Sequence, residues 1–335
     1  MIEKREDHKE PCCCFAPMEG ITGYVYRSAH HALFPHVDRY FTPFLQPNQN
    51  HRFASRERND VLPEHNKGIT LIPQILTNRA EDFIWMAGEL EALGYDEVNL
   101  NLGCPSGTVV TKYKGAGFLA KKEALDAFLD EVCAGIHIRL SVKTRLGMAS
   151  PDEFEELLEI YNKYPLKELI IHPRVRSDFY KNTPDRAAFQ KALKASRNEV
   201  WYNGDIFTPG DWEEFHTGFP EVDCIMLGRG LIANPGLAGE IKGFRFPDKG
   251  RIKEFHDMIY QGYRETISGD RNVLFKMKEI WFYLLFLFPG SEKYGKRIRK
   301  AERAAEYEAA VASLFRDLDI QQNVKEQVSG GIIGG

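Results

Sequence analysis

Cys104 closes the run Val98-Asn-Leu-Asn-Leu-Gly-Cys104, and Gly103 and Pro105 force a sharp turn that presents its thiol. A thiol with an ordinary pKa of about 8.5 is mostly protonated at neutral pH and can serve as a proton donor. The same group can act as a nucleophile, or fill space as a small apolar side chain. Lys143 lies in Leu140-Ser-Val-Lys-Thr-Arg145, inside or at the end of an apolar run. An ammonium there is costly unless it meets an anion. An anionic reduced cofactor would supply one, and a strand-end acid would supply another. His172 follows Leu169-Ile-Ile and reads as a site residue or as a satisfied core histidine. Asn203-Gly204-Asp205 and Gly228-Arg229-Gly230 combine glycines, which let backbone N–H groups approach an anion, with a guanidinium. Tight turns alone would also account for those glycines.

Each of these groups ends a short apolar or β-branched run. Eight such runs occur, over 12–18, 40–44, 69–76, 98–104, 138–146, 168–174, 199–206 and 222–230. The stretches 78–93, 121–135, 151–164 and 183–196 carry apolar residues at helical spacing, for example Phe83, Met86, Ala87 and Leu90. Eight strand-then-helix units predict an α/β fold, a (β/α)8 TIM barrel, with a doubly wound open sheet as the alternative. In a barrel the C-terminal strand ends converge on the face that carries the active site. Here those ends are 16–18, Gln74, 101–104, 143–145, 172–174, 203–205 and 228–230. The last two are the loops where barrels often bind phosphate. Gly115-Ala-Gly117-Phe-Leu-Ala120 matches a dinucleotide fingerprint but follows Thr111-Lys-Tyr-Lys114 rather than a strand, so no dinucleotide fold is predicted.

After about residue 250 the strand runs stop, and three helices are expected, from 251, over 273–288 and over 291–318. A small all-helical C-terminal domain is therefore predicted behind the barrel. The chain as a whole has Lys+Arg 44 against Asp+Glu 48, net −4, and does not attract nucleic acid overall. Between Asp270 and Arg303, however, nine Lys/Arg face four Asp/Glu, a local +5. Its centre is Lys296, Arg297, Arg299 and Lys300, which could line phosphates or form a solvated face. The six cysteines contain no C-x-x-C pair, and three are consecutive, Cys12 to Cys14. Strand neighbours face opposite sides, so reduced thiols packed in the first strand are expected, with no disulfide framework and no metal. The most apolar stretch, 280–288, is far shorter than the roughly 20 residues that span a bilayer, and the charged N-terminus has no signal-peptide core. A soluble, cytoplasmic chain with no membrane partner is expected.

Taken together, APMEGIT (16–22), NLNLGCPSG (99–107), VKTRLG (142–147), IIHPR (170–174), YNGDI (202–206) and LGRG (227–230) resemble the tRNA-dihydrouridine synthases. N-x-G-C-P-S with the downstream G-A-G is the more specific part; the other motifs are shared with flavin barrels at large. The order and spacing match from about 14 to 236, and the helical remainder resembles that family's tRNA-binding domain. The resemblance implies an FMN enzyme that reduces a uridine of tRNA to dihydrouridine with NADPH, with Cys104 as proton donor and Asn101 close to the target base. It implies flavin contacts at Pro17, Met18, Gln74, Lys143, His172, Asn203, Gly204, Asp205, Gly228 and Arg229, and substrate contacts at Arg145 and Arg174. Glu19, Gly23 and Val175 depart from the residues usual in the family, all at the rim. The expected organisation is a charged segment 1–11, an FMN-binding barrel 12–245, a helical RNA-binding domain 246–320 and a flexible tail 321–335, acting as a monomer. The alternatives are a barrel that reduces a free pyrimidine or enone, a synthase for ribosomal RNA, and an inactive barrel that only holds RNA.

Overall fold

The computed structural model describes residues 10–48 and 50–322, so most of the charged segment and of the tail expected above lie outside the described residues. Nine strands form one parallel sheet: β1 (Cys12–Phe15), β2 (Arg39–Phe41), β3 (Leu71–Ile72), β4 (Gln74–Ile75), β5 (Glu97–Leu102), β6 (Arg139–Arg145), β7 (Leu169–His172), β8 (Val200–Tyr202) and β9 (Cys224–Leu227). Their order, β3-β2-β1-β9-β8-β7-β6-β5-β4, begins and ends on two strands separated by Pro73 alone. The ribbon thus returns to its start as a barrel of eight staves, the third split in two. Proline has no N–H to give to a ladder. β3 pairs with β2 on one side, β4 pairs with β5 on the other, and the Pro73 carbonyl still accepts from Asn99 N at 2.9 Å.

The strands are buried on both faces, as parallel sheets are when helices cover them. β5 is buried along its whole length. Outward residues such as Cys13, Phe15, Leu100 and Val142 join the core between sheet and helices. Inward residues such as Cys14, Phe41, Ile170, Trp201 and Met226 form a smaller cluster inside the ring. The outer helices use the faces their spacing predicts. Ala80–Ala92 buries Phe83, Met86, Ala87 and Leu90, and Lys122–Gly135 buries Leu125, Phe128, Leu129 and Val132.

Among the described residues four helices rather than three follow the barrel: Lys249–Thr266, Asp270–Leu284, Glu292–Lys300 and Ala304–Asp317. The expected run 291–318 breaks between Lys300 and Ala304 because tertiary partners take its backbone groups. Lys278 Nζ donates to the Ala301 carbonyl at 2.7 Å, and Asp270 Oδ2 accepts from Ala304 N at 2.9 Å. The first C-terminal helix packs Phe255 edge-on against Tyr26 and Phe34, with ring centroids 5.3 and 5.4 Å apart. These aromatic residues belong to the same apolar cluster as the barrel's shell. No helix among the described residues is long and apolar enough to cross a membrane.

Candidate active site at the barrel mouth

Cys104 leaves β5 on a loop that two devices hold in place. Asn101 Oδ1 accepts from the backbone N–H groups of Gly103 (3.1 Å) and Cys104 (2.9 Å), curling the chain back over its own strand end. Behind the loop, Ala116 N donates to the Cys104 carbonyl at 3.0 Å. Gly115, at φ +54°, comes so close that a Cβ there would lie 2.9 Å from that carbonyl. The Gly-Ala-Gly segment is thus a backstop for the cysteine loop.

Asn101 is itself the top of a chain of amide contacts that descends through the barrel. Its Nδ2 donates to Gln74 Oε1 (2.6 Å), Gln74 Nε2 to Asn99 Oδ1 (2.8 Å), and Asn99 Nδ2 to Ser141 Oγ (3.0 Å). Ser141 Oγ donates in turn to Glu97 Oε1 at 2.9 Å. Below it Glu97 and Glu168 flank Arg39, whose Nη1 lies 3.6 and 3.2 Å from them. Burial, and next the adjacent Glu97, push the Glu168 carboxyl well above its ordinary range.

Over the strand ends opens a small cavity of about 50 Å³, whose lining does not include Cys104. Pro17, Met18, Lys143, His172, Asn203, Gly204, Asp205, Gly228 and Arg229 all line it. Lys143 Nζ makes no hydrogen bond or ion pair among the described residues, and burial, reinforced by Arg145, brings its pKa down to about 7. Burial pushes the Cys104 thiol up, against the opposing influences of the Ser106 backbone and Arg145. His172 is held well below its ordinary range by burial and by Arg145, Lys143, Arg174 and Arg229, so its ring is neutral. Arg174 Nη1 donates to His172 Nε2 at 2.9 Å, which fixes that nitrogen as the acceptor.

On the far wall one carboxylate holds two guanidiniums. Asp205 receives both terminal nitrogens of Arg174 and, at 2.6 Å, Nη2 of Arg229. Tyr180 covers this clasp, with the Arg229 guanidinium 4.6 Å and the Arg145 guanidinium 5.5 Å from its ring centroid. Arg145 spends its donors on the carbonyls of Gly103 (2.9 Å), Val175 (3.0 Å) and Phe179 (2.8 Å), tying the cysteine loop to the loop that carries Tyr180. Gly204 and Gly230 are packing glycines: a Cβ would lie 2.0 Å from Tyr202 Oη and 2.3 Å from the Ile206 carbonyl. Gly228 differs, because a Cβ there would meet only Ala16 Cβ at 3.5 Å and Met18 Sδ at 3.9 Å, on the cavity wall.

The structure therefore gathers the strand-end residues named from the sequence around one mouth, with Gln74 just beneath and Arg145 and Arg174 as buried struts. Lys296, Arg297, Arg299 and Lys300 stand apart on Glu292–Lys300, all exposed, while Tyr294 and Ile298 bury the opposite side. Those four cations make no side-chain hydrogen bond or ion pair among the described residues. The helical region reaches the mouth through Asp270–Leu284, where Lys276 Nζ donates to the Gly20 carbonyl at 2.8 Å. Sequence reasoning missed Asn99, Ser141 and Tyr180. The alternation Asn99-Leu-Asn101 was a signal for the first, since two amides on one strand face require polar company inside the barrel.

The family described as dihydrouridine synthase (Dus) matches residues 14–320. The chain is 30% identical over 232 residues to a "Probable tRNA-dihydrouridine synthase" of Staphylococcus epidermidis, covering 67% of this chain and 70% of that one. With the same coverages it is 29% identical over 232 residues to "Probable tRNA-dihydrouridine synthase 2" of Bacillus subtilis. Among solved structures, histamine dehydrogenase from Rhizobium sp. 4-9 superposes with TM-score 0.52 at 10% identity, covering 80% of this chain and 48% of that chain. That last likeness concerns the fold.

Proposed function

The chain belongs to the dihydrouridine synthase family, and from that premise we propose that it reduces the C5=C6 bond of specific uridines in tRNA, using FMN and NADPH. One observation supports this reading above the others: an amine with no hydrogen-bond partner, Lys143, lines the cavity on β6, and a protonated thiol, Cys104, follows the neighbouring strand β5. The lining suits a flavin in kind. Gly228 keeps its wall free of side chain, Lys143 awaits an anion, and Arg229 supplies positive charge at the loop after the last stave. FMN, when bound, supplies the hydride that reduces C6.

The remaining steps fall to the chain. The uracil C5=C6 bond is conjugated to a carbonyl, so addition at C6 leaves enolate charge and C5 requires a proton. Cys104 Sγ holds that proton at neutral pH, and Asn101, by gripping the backbone of Gly103 and Cys104, sets where the thiol points. Lys143 places positive charge against the anionic cofactor. Arg145 and Arg174 position the loops around the base, and Pro17, Met18, Asn203 and His172 complete the wall. A base stacked in folded RNA must first be drawn out, at a cost of a few kcal/mol. Lys296, Arg297, Arg299 and Lys300 would hold the phosphates that offset this cost. In this reading 12–245 is the catalytic unit and 246–320 the RNA-binding unit of a cytoplasmic monomer.

The test is turnover on an unmodified tRNA transcript with NADPH, followed by digestion and mass spectrometry. A gain of two hydrogens at defined uridines, with FMN released on denaturation, is expected. A protein that carries FMN and oxidises NADPH yet leaves the transcript unreduced would overturn the substrate assignment.

A further inference from the structure

Cys12 and Cys14 are two residues apart on β1, so both side chains leave the strand on its inner side, while Cys13 points into the shell. β9 pairs with β1 in the register that sets Cys224 opposite Cys12. Three sulfur atoms from two strands consequently meet. Cys12 and Cys14 Sγ are 3.8 Å apart, Cys14 and Cys224 Sγ 3.6 Å, and all three lie within 4.8 Å of one another. All three are free thiols. They sit toward the N-terminal ends of their strands, away from the cavity at the mouth, and the uridine chemistry makes no use of them. We propose that Cys12, Cys14 and Cys224 form a three-thiolate site for a single thiophilic d10 cation, zinc(II), in the floor of the barrel.

The spacing suits that ion. Zinc–sulfur bonds of about 2.3 Å at a tetrahedral angle place sulfur atoms about 3.8 Å apart. Among the described residues no fourth His, Cys, Asp or Glu joins the group, so the fourth position is open to water. Cys12 is only partly buried, which gives the ion a way in from the floor, while Cys14 and Cys224 are buried. Soft thiolates select such ions over magnesium or calcium. Three thiolates around zinc(II) leave one negative charge, and Arg39 and Lys242 both bear on Cys12 electrostatically. Copper(I) would leave two negative charges. Burial pushes the Cys14 and Cys224 thiols up, so binding, which forms three metal–sulfur bonds, releases thiol protons to water and changes no oxidation state. Because β1 and β9 are the first and last strands, the ion would cross-link the two ends of the strand sequence.

The experiment uses the full-length, flavin-loaded protein, stripped with a chelator and dialysed against zinc(II) or, separately, copper(I), with bound metal counted per chain. Cadmium serves as a spectroscopic probe through its thiolate charge-transfer absorption. One zinc per chain, the cadmium band and a raised melting temperature are expected. Cys12→Ser and Cys224→Ser should each weaken binding by at least about ten-fold, while Cys133→Ala and Cys104→Ala keep it. Cys12→Ser, at the partly exposed position, keeps the test decisive if Cys224→Ser does not fold. Folded wild-type protein that retains neither ion, or Cys12→Ser that binds zinc undiminished, would overturn the site. Retention of copper(I) alone would overturn the choice of zinc.

Discussion

Lys143 and Cys104 are displaced in opposite directions by one cause, since burial favours the neutral form of each. In the proposed reaction the thiol therefore enters with its proton. Cys104→Ala should still bind FMN and RNA and accept electrons from NADPH, while dihydrouridine formation falls by about 10²–10⁴-fold. Cys104→Ser, a much weaker acid, should be nearly as impaired. Wild-type turnover in the alanine variant would end the proton-donor role. Lys143 lends itself to a titration. With its pKa at about 7 in the free protein, an anion bound against it raises that value, so binding takes up a proton. FMN affinity should be greatest below that pH and decline above it, until the pKa of the bound state is reached. Lys143→Met should bind more weakly and lose this part of the slope. Fluorescence titrations of both proteins across the range read the difference; parallel slopes would show that Lys143 is not the group responsible.

At the scale of elements, β4, β5 and β6 are joined inside the barrel by side chains as well as by their ladders. Ser141→Ala would leave the Asn99 amide and the Glu97 carboxylate each short of a partner. A loss of about 1–3 kcal/mol in denaturant-measured stability is expected. Lower turnover at unchanged FMN content should accompany it, because Gln74 and Asn101 lose their footing. A neutral Ser141→Ala would mean that water replaces the hydroxyl. How much of this was legible beforehand follows from what a period can report. Alternation along 98–104 and helical spacing over 78–93 state which face is buried, and the strand ends followed at once. Periodicity does not state which strand lies alongside. The meeting of Cys224 with Cys14 depends on register across 210 residues, and the capture of Arg145 by carbonyls at 103, 175 and 179 depends on loop paths. The break before Ala304 escaped notice for the same reason, since its causes, Lys278 and Asp270, sit on another helix.

For the whole molecule, charge is distributed so that a net-negative chain presents a cationic helix, Glu292–Lys300, whose Lys296, Arg297, Arg299 and Lys300 are exposed and without side-chain partners among the described residues. Lys296→Glu combined with Arg299→Glu should weaken tRNA binding strongly and leave FMN content unchanged. Wild-type affinity should fall steeply with salt as phosphate counterions are released. Unaltered affinity in the double variant would leave the helix a solvated surface. That variant is a cleaner probe than deletion of the helices, because Phe255 is set among Tyr26, His30 and Phe34 of the barrel's own first helix and loop. Removing the helical region would strip cover from those rings and invite aggregation. The same shared core bears on how the chain comes apart. Barrel and helices should unfold in one calorimetric transition whose van't Hoff and calorimetric enthalpies agree, and two separated endotherms would contradict this. A chain that unfolds in this way has no freestanding barrel to be recombined with other partners: the proposed catalytic and RNA-binding units would be lost, or inherited, together.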